Sequence, residues 1–116
     1  MKVIVCGGRD FTDTGFIYKT LDKYHKVNQF SELIEGDARG VDRIAGYWAR
    51  KNKINNRKFP ANWHLYGKAA GFIRNREMIF ENPELIIAFP GGAGTNQMIS
   101  LAKYYKIPLE IIHYEE

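Results

Sequence analysis

Apolar residues recur along the chain in two alternating patterns. Short apolar runs rich in β-branched residues are typical of parallel strands, and longer segments with apolar residues every three or four positions are typical of helices. The runs predict five strands, at Lys2–Cys6, Glu32–Glu35, Ile54–Phe59, Leu85–Phe89 and Pro108–His113. The amphipathic segments predict four helices, at Thr14–Val27, Gly40–Asn52, Gly71–Phe80 and Thr95–Tyr105.

This alternation is typical of an α/β fold in which helices cover both faces of a parallel sheet. We therefore predict one Rossmann-like domain over residues 1–116, with an open parallel sheet of about five strands. Leu85–Phe89 is the most apolar run and is expected at the centre of the sheet, whereas the polar run Ile54–Phe59 is expected near an edge. Pro60–Ala70 shows no clear period and is predicted to be a loop.

Three glycine-rich segments follow three of the predicted strands, at Gly7–Phe11, Glu35–Asp42 and Phe89–Thr95. Glycine lets backbone N–H groups approach a ligand, and the start of a helix attracts anions. In a sheet of this kind ligands bind beyond the carboxyl ends of the strands. The turns therefore predict a pocket for a phosphate-bearing ligand. The alternatives are an ordinary turn with a surface pair of Arg9 and Asp10, and simple helix capping by Asp37 or Asp42.

The predicted loop and the helix after it carry aromatic and basic side chains. Trp63 and Tyr66 are candidates to stack on a base, or else they pin the loop to the core. Lys68, Arg74 and Arg76 are candidates to neutralise phosphate. Residues two apart on a helix do not share a face, so we expect one of the two arginines in the pocket and favour Arg76.

Composition narrows the function further. The 116 residues carry a formal net charge of +4, which suits an anionic ligand, and no long basic run typical of a nucleic-acid-binding tail occurs. The single cysteine, Cys6, lies in an apolar run and is expected to be buried, and the three histidines lack metal-ligand spacing, so neither a metal nor a cofactor is predicted. No apolar stretch spans a membrane and no signal-peptide pattern is found, so a cytoplasmic location is expected. Tyr104 and Tyr105 are expected to cover the core or a homo-oligomer face.

Six motifs occur in an order that resembles a known family. They are Gly7–Phe11, Gly36–Asp42, Phe59–Trp63, Tyr66–Gly71, Arg74–Met78 and Ala88–Thr95. Together they resemble the YspA-type branch of the SLOG superfamily, a largely uncharacterised group often found in phages and mobile elements. The resemblance implies a Rossmann-like fold and a nucleotide or nucleotide-derived ligand. Relatives of the branch include the LOG phosphoribohydrolases and the single-strand DNA-binding DprA proteins.

The LOG enzymes are similar to this chain at two places and differ at a third. Their helical arginine motif resembles Arg74–Met78, with Arg76 as the best match, and their glycine motif resembles Pro90–Thr95. Where they carry paired glutamates, this chain has Gln97 and Met98. Cleavage of an N-glycosidic bond needs a carboxylate, which neither residue supplies.

The predicted function is therefore binding or sensing of a nucleotide-derived, phosphate-bearing small molecule. The first alternative is a phosphoribohydrolase that cleaves a nucleoside monophosphate with a substitute carboxylate from Asp10, Asp37 or Glu77. The second is DprA-like binding of single-stranded DNA, which the modest charge disfavours. The catalytic candidates are Asp10, Arg76 and Glu77. The predicted ligand-binding residues are Gly7, Gly8, Arg9, Asp10, Gly36, Asp37, Trp63, Tyr66, Lys68, Arg76, Pro90, Gly91, Gly92, Gly94 and Thr95.

Overall fold

Five parallel strands form the centre of the computed structural model, which describes residues 1–115. The strands are β1 (Lys2–Cys6), β2 (Glu32–Glu35), β3 (Asn55–Lys58), β4 (Leu85–Ala88) and β5 (Leu109–Ile111). The helices are α1 (Thr14–Val27), α2 (Val41–Lys51), α3 (Trp63–Tyr66), α4 (Ala70–Ile79) and α5 (Ala93–Tyr104), with a 3₁₀ turn at Gly67–Ala69. The predicted α/β Rossmann-like class is confirmed. Glu116, the last residue of the predicted domain, lies outside the described residues.

Apolar side chains leave both faces of the sheet, as expected for parallel strands covered by helices. Val3 and Val5 of β1 pack in one cluster with residues of α1 and α2. Ile4 and Cys6 of the same strand point to the opposite face and pack in a second cluster with residues of α4 and α5. Cys6 is buried, as predicted, and burial raises the pKa of its thiol far above the ordinary value.

The strand order is β3-β2-β1-β4-β5, which places β1 rather than β4 at the centre. The prediction that Leu85–Phe89 is central is therefore wrong. Every strand covered on both faces needs an apolar run, so apolarity does not distinguish β4 from the strand beside it. The prediction for the polar β3 is confirmed, because β3 lies at an edge.

The predicted loop at Pro60–Ala70 contains a helical turn that the sequence pattern did not indicate. Asn62 caps α3 by accepting a hydrogen bond from the backbone N–H of Leu65 at 3.0 Å. None of the four residues Trp63–Tyr66 is buried, so α3 shows no apolar period. This turn brings Trp63 over the carboxyl ends of the strands, where it lines the site described below.

The chain leaves β1 toward β2 on one side and later returns as β4 on its other side. Such a reversal of strand order opens a crevice at the carboxyl ends of the strands. The three glycine-rich turns follow β1, β2 and β4 and therefore meet at this edge. No helix within residues 1–115 is long and apolar enough to cross a membrane.

Candidate functional site

A cleft of two adjoining compartments opens at the carboxyl ends of the strands. The larger, which we call the glycine compartment, has a volume of about 610 Å³ and is lined mainly by the turns after β1 and β4 and by α4. The smaller, which we call the arginine compartment, has a volume of about 400 Å³ and is lined by the turn after β2 and by residues of α2, α3 and α4. Both compartments share four lining residues, which are Arg9, Ala38, Trp63 and Arg74.

Close backbone contacts hold the three glycine turns together at Gly8. The N–H of Gly8 donates to the carbonyl of Pro90 at 2.8 Å, and the Gly8 carbonyl accepts from the N–H of Val41 at 3.3 Å. A Cβ on Gly91 would overlap Thr95 Oγ1 and lie 2.7 Å from the Gly8 nitrogen. Gly40 has a φ of +82°, and a Cβ there would overlap the Gly8 carbonyl. These positions are glycine because the turns approach too closely for a side chain.

The start of α5 faces the glycine compartment with an open set of backbone donors. Gly92 precedes the helix, and no side chain caps it. The first hydrogen bond of the helix runs from the N–H of Asn96 to the Gly92 carbonyl, so the preceding N–H groups have no intrahelical acceptor. A Cβ on Gly92 or Gly94 would meet no atom within 4 Å. This arrangement suits an anion, which would accept hydrogen bonds from the exposed N–H groups.

Arg74, and not Arg76, projects into the cleft from α4. One terminal nitrogen of Arg74 donates to the carbonyl oxygens of Gly36 and Phe59, and its Nε donates to Asn75 Oδ1 at 3.0 Å. Burial lowers the pKa of Arg74, and the charge of Asp42 opposes this effect. Arg76 is exposed and does not line the cleft. The prediction that Arg76 faces the pocket is corrected, because the buried face of α4 carries Asn75 and Met78 and the intermediate position Arg74 borders the cleft beside it.

Asp42 is a buried carboxylate at the floor of the glycine compartment. One of its oxygens accepts a hydrogen bond from the N–H of Ala38 at 3.3 Å. Burial raises the pKa of Asp42 from 3.8 to about 7, and the nearby charge of Arg74 opposes the rise. The sequence interpretation considered Asp42 only as a helix cap. Its position three and four residues before the buried Ala45 and Gly46 is the signal that places it on the inner face of α2.

A family model described as "YspA, cpYpsA-related SLOG family" matches residues 1–66. The chain belongs to this SLOG family. The matched residues include the glycine turns after β1 and β2 together with α3. A second comparison finds the Gene 61 protein of Mycobacterium phage D29, which is 29% identical over 119 residues, covering 97% of this chain and 95% of the phage protein. No solved structure matches the chain.

Membership of a SLOG family indicates nucleotide-related binding or processing. The resemblance stated from the sequence motifs is thereby confirmed, and the phage relative agrees with the expected occurrence in phages. Among residues 1–115 no group of three or more His, Cys, Asp or Glu side chains is arranged to hold a metal ion.

Most of the predicted ligand-binding residues line the cleft of this SLOG protein. Those in the glycine compartment are Gly7, Gly8, Arg9, Asp10, Trp63, Lys68, Pro90, Gly91, Gly92, Gly94 and Thr95. Gly36 and Asp37 line the arginine compartment instead. Tyr66, Arg76 and Glu77 line neither compartment. The cleft also contains residues outside the predicted ligand-binding set, among them Phe72 and Asn75 in the first compartment and Arg39 and Arg43 in the second.

Two of the candidate carboxylates are engaged at the surface. The side chain of Asp10 is 92% exposed and pairs with Arg39 at 3.1 Å. Asp37 lies 3.5 Å from Arg43 and 3.9 Å from Lys58. Glu77 is exposed on α4, away from the cleft. Asp42 differs from these carboxylates because it is buried and lines the cleft.

The two positions that hold glutamates in the LOG enzymes have structural contacts in this chain. Met98 is fully buried in the second hydrophobic cluster. Gln97 accepts from Asn75 Nδ2 at 2.8 Å and donates to the Phe72 carbonyl at 3.2 Å. Asn75 Nδ2 also donates to the Gly94 carbonyl at 3.0 Å, so this network ties α4 to the start of α5.

Tyr104 is 77% exposed and therefore does not cover the core, which corrects one of the two roles expected for it.

Proposed function

We propose that this SLOG protein binds a phosphate-bearing, nucleotide-derived small molecule in the glycine compartment. The observation that supports this function best is the uncapped start of α5, which opens on a cavity where Gly92 and Gly94 leave room for a ligand. Backbone N–H groups and the helix dipole would hold the phosphate there. The volume of about 610 Å³ lies within the usual range for small-molecule sites.

The rest of the compartment supplies the other interactions that a nucleotide needs. Arg9 and Lys68 add positive charge, and the partly exposed rings of Trp63 and Phe72 offer surfaces on which a base can stack. Asp10 and Asp42 offer carboxyl groups for ribose hydroxyls. The ligand would therefore contact charge, ring and hydroxyl-binding groups in one cleft.

The variant Gly92→Val tests this proposal. The added side chain would occupy the space in which the phosphate approaches the backbone, while its Cβ meets no protein atom within 4 Å. We expect the dissociation constant of the best-binding member of the panel AMP, GMP, CMP and UMP to rise at least about tenfold in calorimetry, with an unchanged unfolding midpoint. Gly15→Val, at an exposed position in α1, is the matched control. Equal affinity of Gly92→Val and wild type would refute the phosphate site.

A second candidate function is hydrolysis of the N-glycosidic bond, which Asp42 favours. A carboxyl group with a pKa of about 7 holds its proton near neutral pH and can act as a general acid toward a leaving base. Gln97 and Met98 argue against it, because they remove the charge that would stabilise the transition state. The same four monophosphates, incubated with the protein and analysed by chromatography, should release no free base. Release that disappears in Asp42→Asn would establish hydrolysis instead.

A further inference from the structure

We infer that the ligand carries two phosphate groups, one held at the start of α5 and the other in the arginine compartment. This inference rests on the proposed function, because it assumes that the first phosphate lies in the glycine compartment. Apart from Arg9, which lines both compartments, the arginines of the arginine compartment have no role in that first contact, and they give this compartment its own excess of positive charge.

Four arginines and one carboxylate line the arginine compartment among the described residues. The arginines are Arg9, Arg39, Arg43 and Arg74, and the carboxylate is Asp37. Arg39 and Arg43 are more than half exposed, and each makes an ion pair that contributes little in water. Like charges gathered at one place repel each other, and a bound anion would relieve that repulsion. The compartment is therefore suited to a second phosphate.

Arg9 connects the two compartments. Its guanidinium lies over the ring of Trp63, 5.3 Å from the ring centroid, at the wall that the compartments share. Within residues 1–115 no carboxylate lies within 4 Å of the Arg9 guanidinium, in contrast to Arg39 and Arg43. A ligand that extends from one compartment into the other would pass this unneutralised charge.

The exposed arginines of this compartment contribute little to the fold. The partly buried Arg74 differs from them, because it binds the carbonyl oxygens of Gly36 and Phe59 and so joins the turn after β2 to the end of β3. Within residues 1–115 Arg39 and Arg43 have the carboxylates of Asp10 and Asp37 as their ion-pair partners. Their substitution should therefore change ligand binding and leave the fold intact, which makes them suitable for a test.

The test compares each nucleoside monophosphate of the panel AMP, GMP, CMP and UMP with its 5′-diphosphate and its 3′,5′-bisphosphate. The two forms place the second phosphate next to the first or across the ribose, and calorimetry measures all affinities at one salt concentration. We expect at least one two-phosphate form to bind about tenfold more tightly than its monophosphate. In Arg43→Gln this gain should fall to about threefold or less, while the affinity for the monophosphate changes by less than about twofold.

Lys26→Gln is the control, because it removes one positive charge from an exposed position in the last turn of α1. It should keep the full gain from the second phosphate. Equal affinity for monophosphates and both two-phosphate forms would refute the second phosphate site but would not contradict the proposed function. A short single-stranded oligonucleotide that binds more tightly than every mononucleotide would overturn the small-molecule ligand. Failure of all nucleotides to bind would refute the proposed function itself.

Discussion

The glycine compartment and the arginine compartment share a wall, yet different parts of the chain line each of them. In the glycine compartment backbone groups of two turns and a helix start form one part of the lining, beside side chains such as Trp63 and Lys68, and Gly91 packs too closely for any side chain. In the arginine compartment long side chains from the turns after β1 and β2 and from α2, α3 and α4 face the cavity, and Arg39 and Arg43 are mostly exposed.

This difference implies different tolerance to substitution. Packed backbone changes shape only if the fold changes, so a closely packed glycine such as Gly91 contributes to stability. A lining made of exposed side chains can be altered at little cost in stability. Substitutions in the second compartment should therefore cost less stability than substitutions at the packed glycines of the first.

The largest expected effect is a difference in the free energy of unfolding between alanine variants of two adjacent glycines in the first compartment. Gly91→Ala should lower the free energy of unfolding by about 3 kcal/mol, because the new Cβ would overlap Thr95 Oγ1 and crowd the Gly8 nitrogen. Gly92→Ala should change it by less than about 0.5 kcal/mol, since its Cβ meets nothing within 4 Å. Urea unfolding followed by circular dichroism measures both. Equal stability of the two variants would remove the distinction between packed and open glycines.

An intermediate effect is expected from pH, through Asp42 beneath the same compartment. Because its pKa is raised to about 7, the folded protein binds a proton that the unfolded chain has lost above about pH 4. This contribution to stability is complete below pH 4 and disappears as the pH rises through 7. Relative to Asp42→Asn, wild type should lose about 2 kcal/mol of unfolding free energy between pH 5 and pH 7.

Unfolding titrations of both proteins across that pH range measure the difference. The charge of Glu35 raises the pKa of Asp42, and the charge of Arg74 lowers it. Burial also raises the pKa of Glu35, so Glu35→Gln serves as the control for titration of Glu35 itself. A constant difference between wild type and Asp42→Asn would show that Asp42 is charged throughout and solvated from the cleft.

The smallest expected effect is the difference in unfolding free energy between glutamine variants of the two arginines of α4. Arg74→Gln should lower the unfolding free energy by about 1.5 kcal/mol, because charge-assisted bonds to the Gly36 and Phe59 carbonyls are lost. Arg76→Gln, at an exposed position, should change it by less than about 0.5 kcal/mol. Thermal and urea unfolding distinguish them. A larger loss of unfolding free energy in Arg76→Gln than in Arg74→Gln would contradict the helix rotation that places Arg74 at the cleft. It would also contradict the wall that the two compartments share.

Local patterns predicted most of the elements. The bounds predicted for β1, β2 and α1 agree with the structure, since β-branched runs and a continuous helical period depend on neighbours in sequence. The glycine turns were located for the same reason, because they follow directly from where the strands end. The helical turn at Trp63–Tyr66 was missed because all four residues stay accessible to solvent and leave no apolar period.

The sequence by itself determined the alternation of strands and helices, the parallel sheet and the position of three glycine turns at strand ends. Only the tertiary structure decided that β1 is central, that Arg74 rather than Arg76 borders the cleft, and that Asp42 is buried enough to change its pKa. The physical reason is the distance along the sequence over which each effect acts. Backbone propensity and period act over a few residues, whereas strand order, helix rotation and desolvation depend on groups that are distant in sequence and meet only in the folded chain.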